Sequence, residues 1–173
     1  MKKLLTLLTL CAIAINLSAQ SDEFKKMDFL IGDWTYKAKS LTPQGTYFEQ
    51  EFYTKCSYLF NESAHKDDFY FKDPNGNLVC YGTTIRTYDE QAKIWRMMWV
   101  ERNLAITTSM TGKYADGIFY FDGKGKDQQG EYLEKIEFFD IKEDSYSWKM
   151  DRSYDGGKTW LKNYFSYQAI RKS

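Results

Sequence analysis

The stretch from Gly82 to Trp99, GTTIRTYDEQAKIWRMMW, divides into two alternating runs around a polar break. Thr84, Arg86 and Tyr88 recur at every second position, as do Trp95, Met97 and Trp99, with Glu101 next on the same side. Side chains at i, i+2 and i+4 share one face of a strand, so the runs read as two strands of a hairpin. Asp89-Glu90-Gln91 supplies the turn.

The same pattern extends in both directions. Trp34, Tyr36 and Ala38 alternate with Thr35, Lys37 and Lys39, and Thr46–Ser57 reads as a longer strand. Asp-Pro-Asn-Gly at 73–76 separates Phe69–Lys72 from Leu78–Tyr88, and Ala115-Asp116-Gly117 separates Ala105–Tyr114 from Ile118–Asp122. Glu131–Ile141, Ser145–Arg152 and Trp160–Ile170 follow, while Tyr58–Lys66 is less regular and Asp122–Gly130 reads as a flexible loop. Aromatic residues make up 18% of the chain, and both of its prolines fall in turns. The fold expected is all-β: one antiparallel up-and-down barrel of nine or ten strands, closed so that no edge is left unpaired. Phe24, Met27, Phe29, Leu30 and Ile31 add a short amphipathic turn or helix before it.

The first residues have another character. Lys2 and Lys3 precede an apolar run, Leu4–Leu17, that is too short to span a bilayer, and Ala19 offers a small residue for cleavage. The expectation is a signal peptide at 1–19 and a mature domain at 20–173, soluble and periplasmic or secreted. The chain holds 24 basic and 24 acidic residues, and Lys2 and Lys3 leave with the signal. The slightly acidic remainder has no electrostatic footprint for nucleic acid, and no later segment is long enough to span a membrane. Cys56 and Cys80 would face an oxidising compartment, either as a disulfide or as two free thiols.

Candidate site residues follow from strand parity. With the Trp95 face turned inward, Arg86, Trp99 and Glu101 line the barrel interior, and Trp148 joins them from the alternating run Tyr146, Trp148, Met150, Arg152. Arg86 and Glu101 are expected to satisfy one another as a buried pair, with Arg86 offering its guanidinium to a ligand's acidic group. Glu49, Glu51 and Tyr53 read as an exposed face. His65, the one histidine, lies beside Asp67 and Asp68 and reads as a surface residue. No nucleophile elbow, Cys-x-x-Cys, His-x-His or phosphate-cradling loop is present, so neither a metal nor another cofactor is expected.

FLIGDW at 29–34, GTTIRTYDEQAKIWRMMW at 82–99 and DSYSWKMDRSYDGGKTW at 144–160, taken together, resemble a bacterial lipocalin-like family of unknown function within the calycins. The resemblance implies an up-and-down barrel with a central cavity and a tryptophan, here Trp34, plugging one end. The nitrobindins, another calycin branch, bind haem through a histidine on a late strand, and no histidine follows His65 here. Ser153–Trp160, SYDGGKTW, matches the Asp-box hairpin of sialidase propellers in a single copy. One copy in so short a chain is a turn motif, since a sialidase needs several such hairpins and an arginine cluster.

Three functions share this fold and diverge at its interior. The first is an exported barrel binding a small hydrophobic or amphipathic molecule. The second is a metal-independent enzyme of isomerase, cyclase or hydrolase type, using Arg86, Glu101 and nearby tyrosines. The third is an interaction module whose interior is filled by side chains.

Overall fold

The computed structural model describes residues 21–102 and 106–172; the expected signal peptide lies outside them. A short helix, α1 (Asp22–Lys25), and a 3-10 turn (Asp28–Leu30) lead into ten strands. These are β1 (Gly32–Leu41), β2 (Tyr47–Leu59), β3 (Ala64–Lys72), β4 (Leu78–Asp89), β5 (Ile94–Glu101), β6 (Thr107–Ala115), β7 (Ile118–Asp127), β8 (Gly130–Phe139), β9 (Ser145–Ser153) and β10 (Leu161–Arg171). Each strand pairs antiparallel with its sequence neighbours, and β10 returns to pair with β1 through Trp34↔Arg171 and Tyr36↔Ala169. The result is a closed up-and-down barrel.

Two segments are more regular than their composition implies. β7 continues to Asp127, because Gly123 and Gly125 face Met110 and the Tyr132 ring while the intervening lysines point outward. Only Gln128 and Gln129 are left for the turn. β2 and β3 likewise form one continuous hairpin, whose turn places Phe60, Asn61 and Glu62 at positive φ.

One end of the barrel is packed solid. Phe24, Met27 and Leu30 are buried there as a plug. Phe24 stacks on His65 with ring centroids 4.3 Å apart, and on Trp95 at 5.8 Å. His65 is therefore not at the surface: it is fully buried, with Nε2 3.0 Å from Asp28 Oδ1. Burial pushes its pKa below the usual imidazole value, against the pull of Asp28.

Trp34 lies in the same plug, its Nε1 donating to Leu30 O at 2.8 Å and its ring meeting Tyr146 edge-on at 4.9 Å. The Arg171 guanidinium covers the indole at 4.2 Å and donates to Ile31 O (2.7 Å) and Phe29 O (2.9 Å). Gly32 makes this approach possible: its φ is +118°, and Arg171 Nη1 lies 2.7 Å from where a Cβ would stand.

Among the described residues, Cys56 and Cys80 are both free. Cys56 on β2 opposes Asp67 and Cys80 on β4 opposes Tyr70, with β3 between them. Two interstrand spacings of about 4.8 Å exceed the Cα separation a disulfide tolerates.

The single Asp-box closes the β9–β10 turn. Asp155 accepts from Ser153 Oγ, Thr159 N and Thr159 Oγ1 at 2.6–2.9 Å. These bonds, the Thr159 hydroxyl first, hold its carboxyl down at about 2. A carboxyl depressed on folding stabilises the turn above its unfolded pKa and loses that effect as pH falls through the folded value. Amide protection factors in 153–160, which correct for the intrinsic slowing of exchange in acid, should therefore stay high at pH 5 and fall as pH drops toward 2. Unchanged protection across that range would show that the carboxylate does not hold the turn.

Arg171→Met keeps the aliphatic stem and removes the stacked charge and all three carbonyl bonds, to Phe29, Ile31 and Glu143. It should cost about 2–4 kcal/mol in urea unfolding. A loss below about 0.5 kcal/mol, the ordinary surface value, would mean that the plug is held by Trp34 packing alone.

Candidate functional site

Above the plug the barrel is hollow. A cavity of about 620 Å³ opens at the end of the barrel where β1, β3, β5, β7 and β9 finish. Its walls are largely aromatic. Trp148 stacks on Tyr167 with the planes 7° apart and meets Phe165 edge-on, while Phe52 and Phe69 face Tyr36.

All four candidate side chains stand on this wall: Arg86, Trp99, Glu101 and Trp148. They come from different depths. On β5 the inward series runs Trp95, Met97, Trp99, Glu101 from the plug to the rim, and on β9 it runs Tyr146, Trp148, Met150, Arg152. Trp99 and Trp148 belong to different sides of the cavity, with β6, β7 and β8 between their strands. Gly82 on β4 makes room for the Trp99 indole, which occupies the space a Cβ would need.

The expected Arg86–Glu101 pair does not form. Arg86 is at the floor, 4% exposed, and its Nη2 donates to Asp67 Oδ2 at 3.3 Å. Its guanidinium also lies 5.6 Å from the Phe138 ring centre. Arg86 opposes His65 across the β3–β4 ladder, which places Asp67 one inward position further along β3. Glu101 lies at the rim, near the Tyr81 phenol. Burial, then the Glu101 charge, raises the pKa of that phenol.

A second guanidinium, Arg152, is fully engaged. Its Nε and Nη2 donate to Glu134 Oε1, its direct cross-strand partner, and Nη1 donates to Asp127 Oδ2 and the Tyr154 hydroxyl. Tyr132 and Tyr164 sandwich it at 4.0 and 4.4 Å. Burial is the largest single influence and works against its charge, but Glu134, Tyr154 and Tyr164 together outweigh it and raise its pKa. Burial raises the Glu134 carboxyl, with Arg152 opposing.

The floor is less completely satisfied. Arg86 Nε and Nη1, Asp67 Oδ1, the Tyr36 hydroxyl and Thr54 Oγ1 are buried without a partner among the described residues. Burial pushes the Asp67 carboxyl up, with Arg86 pulling it down. Burial likewise raises Tyr36, Tyr146 and Tyr167 well above the ordinary phenol value.

Sequence reasoning missed Asp67 because β3 reads as irregular there; in register, His65 and Asp67 share the inward face. Tyr81 was missed because strand parity turns it outward. A bulge on β4, where Phe69 opposes Gly82 but Tyr70 opposes Cys80, shifts the alternation by one and brings Tyr81 to the wall. A glycine within a strand, here Gly82, is the available signal for such a bulge.

The barrel resembles several solved structures, and two of them show the likeness. One is Rv2717c from M. tuberculosis, with a TM-score of 0.62, 10% identity, and 90% of this chain and 100% of that one covered. The other is the S-type phycobiliprotein lyase CPES from Guillardia theta, with a TM-score of 0.55, 11% identity, and 87% and 90% covered. At these identities the likeness is one of fold, a closed antiparallel barrel. No family model and no curated protein matches the chain.

Arg86→Met should cost roughly 3–5 kcal/mol in denaturant unfolding, because it leaves Asp67 buried and unpaired. Pairing it with Asp67→Asn should recover part of that loss, whereas pairing it with Glu101→Gln should recover none. Recovery through Glu101 instead would show that the floor pair is wrongly assigned.

Proposed function

We propose that this chain is an exported, soluble barrel protein that binds a small amphipathic molecule in its central cavity. The observation that carries this reading is a cavity of about 620 Å³ with stacked aromatic walls and a polar floor at Arg86 and Asp67. Small-molecule sites have this form: largely apolar, roughly 300–1,000 Å³, with a few convergent polar groups. The solid packing confined to the plug argues against an interior filled throughout by side chains. That a similar barrel is found in a phycobiliprotein lyase also supports a working interior.

In this reading the ligand's flat apolar body lies between Trp99 and Trp148, and its polar end points down to Arg86. Glu101 stands at the rim, where it meets whatever part of the ligand reaches solvent. The leader at 1–19 delivers the protein to the periplasm or outside the cell.

Native mass spectrometry of protein purified from its own host should show a small-molecule adduct that is lost on denaturation. N-phenyl-1-naphthylamine, a neutral amphipathic fluorophore, should brighten in the empty cavity, and Met150→Trp, which fills the space, should abolish that signal while unfolding stays cooperative. A chain that carries no adduct and leaves the fluorophore dark would end the reading. N-terminal sequencing of the exported protein should begin at Gln20; retention of Met1 would refute cleavage.

A further inference from the structure

The chemistry of the floor specifies more than an amphipathic ligand. Arg86 and Asp67 both line the cavity, at 4% and 8% exposure, and touch through a single 3.3 Å bond. That contact leaves two donor nitrogens of Arg86, Nε and Nη1, and one carboxylate oxygen of Asp67 without partners among the described residues. Buried donors and acceptors left unmatched are costly, and a ligand recovers that cost only by answering both kinds.

Charge narrows the choice. The described lining includes two guanidiniums, Arg86 and Arg152, but four carboxyl groups: Asp67, Glu101, Asp127 and Glu134. Arg152 is already committed to Glu134 and Asp127. A ligand carboxylate at Arg86 would sit beside the Asp67 carboxylate in an acidic, poorly solvated chamber. It would also offer Asp67 Oδ1 no hydrogen. A cation would answer Asp67 but meet the N–H groups of Arg86.

We propose that the floor recognises a neutral head group carrying an acceptor and a donor on one edge, of the primary amide or lactam class. Its carbonyl oxygen accepts from Arg86 Nη1, and its N–H donates to Asp67 Oδ1. This rests on the cavity-binding reading above and replaces the simpler expectation that Arg86 grips an acid. Selectivity then comes from the hydrogen-bond edge, since an analogue that lacks the donor leaves Asp67 unanswered.

Three ligands of similar shape test this: biphenyl-4-carboxamide, biphenyl-4-carboxylate and methyl biphenyl-4-carboxylate. Each is titrated calorimetrically into the mature protein at neutral pH. The amide should bind about tenfold or more tighter than the carboxylate, the like-charge penalty of a buried site. The ester, neutral but without a donor, should fall clearly below the amide. Asp67→Asn removes the negative charge at constant shape and should erase or reverse the preference for amide over carboxylate.

A carboxylate that binds as tightly as the amide, or an ester that matches it, overturns the inference while leaving cavity binding intact. If none of the three binds but N-phenyl-1-naphthylamine still does, the floor does not read this edge and the inference falls alone. If the fluorophore fails as well, the cavity-binding reading falls with it.

Discussion

Closure of β1 onto β10 is what gives this sheet an inside. An open ten-strand meander would present two unpaired edges and two solvent-facing surfaces, and neither surface could hold a buried arginine. Once Trp34 opposes Arg171, the pleat alternation of every strand is referred to one axis. The Arg171 guanidinium strengthens that seam by tying the last strand to the carbonyls of Phe29 and Ile31 just before the first one. The plug then follows, because Phe24, Met27 and Leu30 have a closed end to fill.

Within that frame the barrel divides along its length. Large rings near the plug, among them Trp95, Phe119 and Phe121, occupy the lumen fully. Toward the other end the inward positions include Thr84, Thr108 and Ser40, too short to reach across. A barrel of about this strand number is wide enough either to be filled by side chains or to hold one ligand, and side-chain size along the axis decides which. Here both outcomes occur in one barrel, one above the other.

Much of this was legible in the sequence, and the failures have physical causes. Strand parity placed Arg86, Trp99, Glu101 and Trp148 inward correctly, because nothing interrupts the alternation of β5 and β9 or the Thr84–Tyr88 part of β4. The partner of Arg86 was not legible. Parity tells which residues share a side, but pairing needs the register between strands and the depth along the axis. Glu101 shares the interior with Arg86 and lies at the rim; Asp67 lies beside it on the adjacent strand. His65 was misplaced for a related reason. It lies at the start of β3, beside the turn that made the segment look irregular, where polar neighbours imply solvent. The closed barrel instead puts that strand's inward face under Phe24.

The two interior arginines show why the distinction between structural and receptive polar groups is a matter of saturation. Burial is similar in kind for both, and each has a carboxylate partner. Arg152 uses all three nitrogens and lies between two phenol rings, so a ligand could add little to it and would have to displace something to try. Arg86 uses one nitrogen, in a longer bond, and its carboxylate partner keeps a spare oxygen. A polar pair left partly unmatched in a closed interior is less stable than either a saturated pair or an apolar replacement. The fold tolerates it because the plug and the aromatic wall supply stability elsewhere. Arg86 and Asp67 line the hollow half of the barrel together with the stacked Trp148 and Tyr167, where a flat molecule with a polar edge would meet both at once.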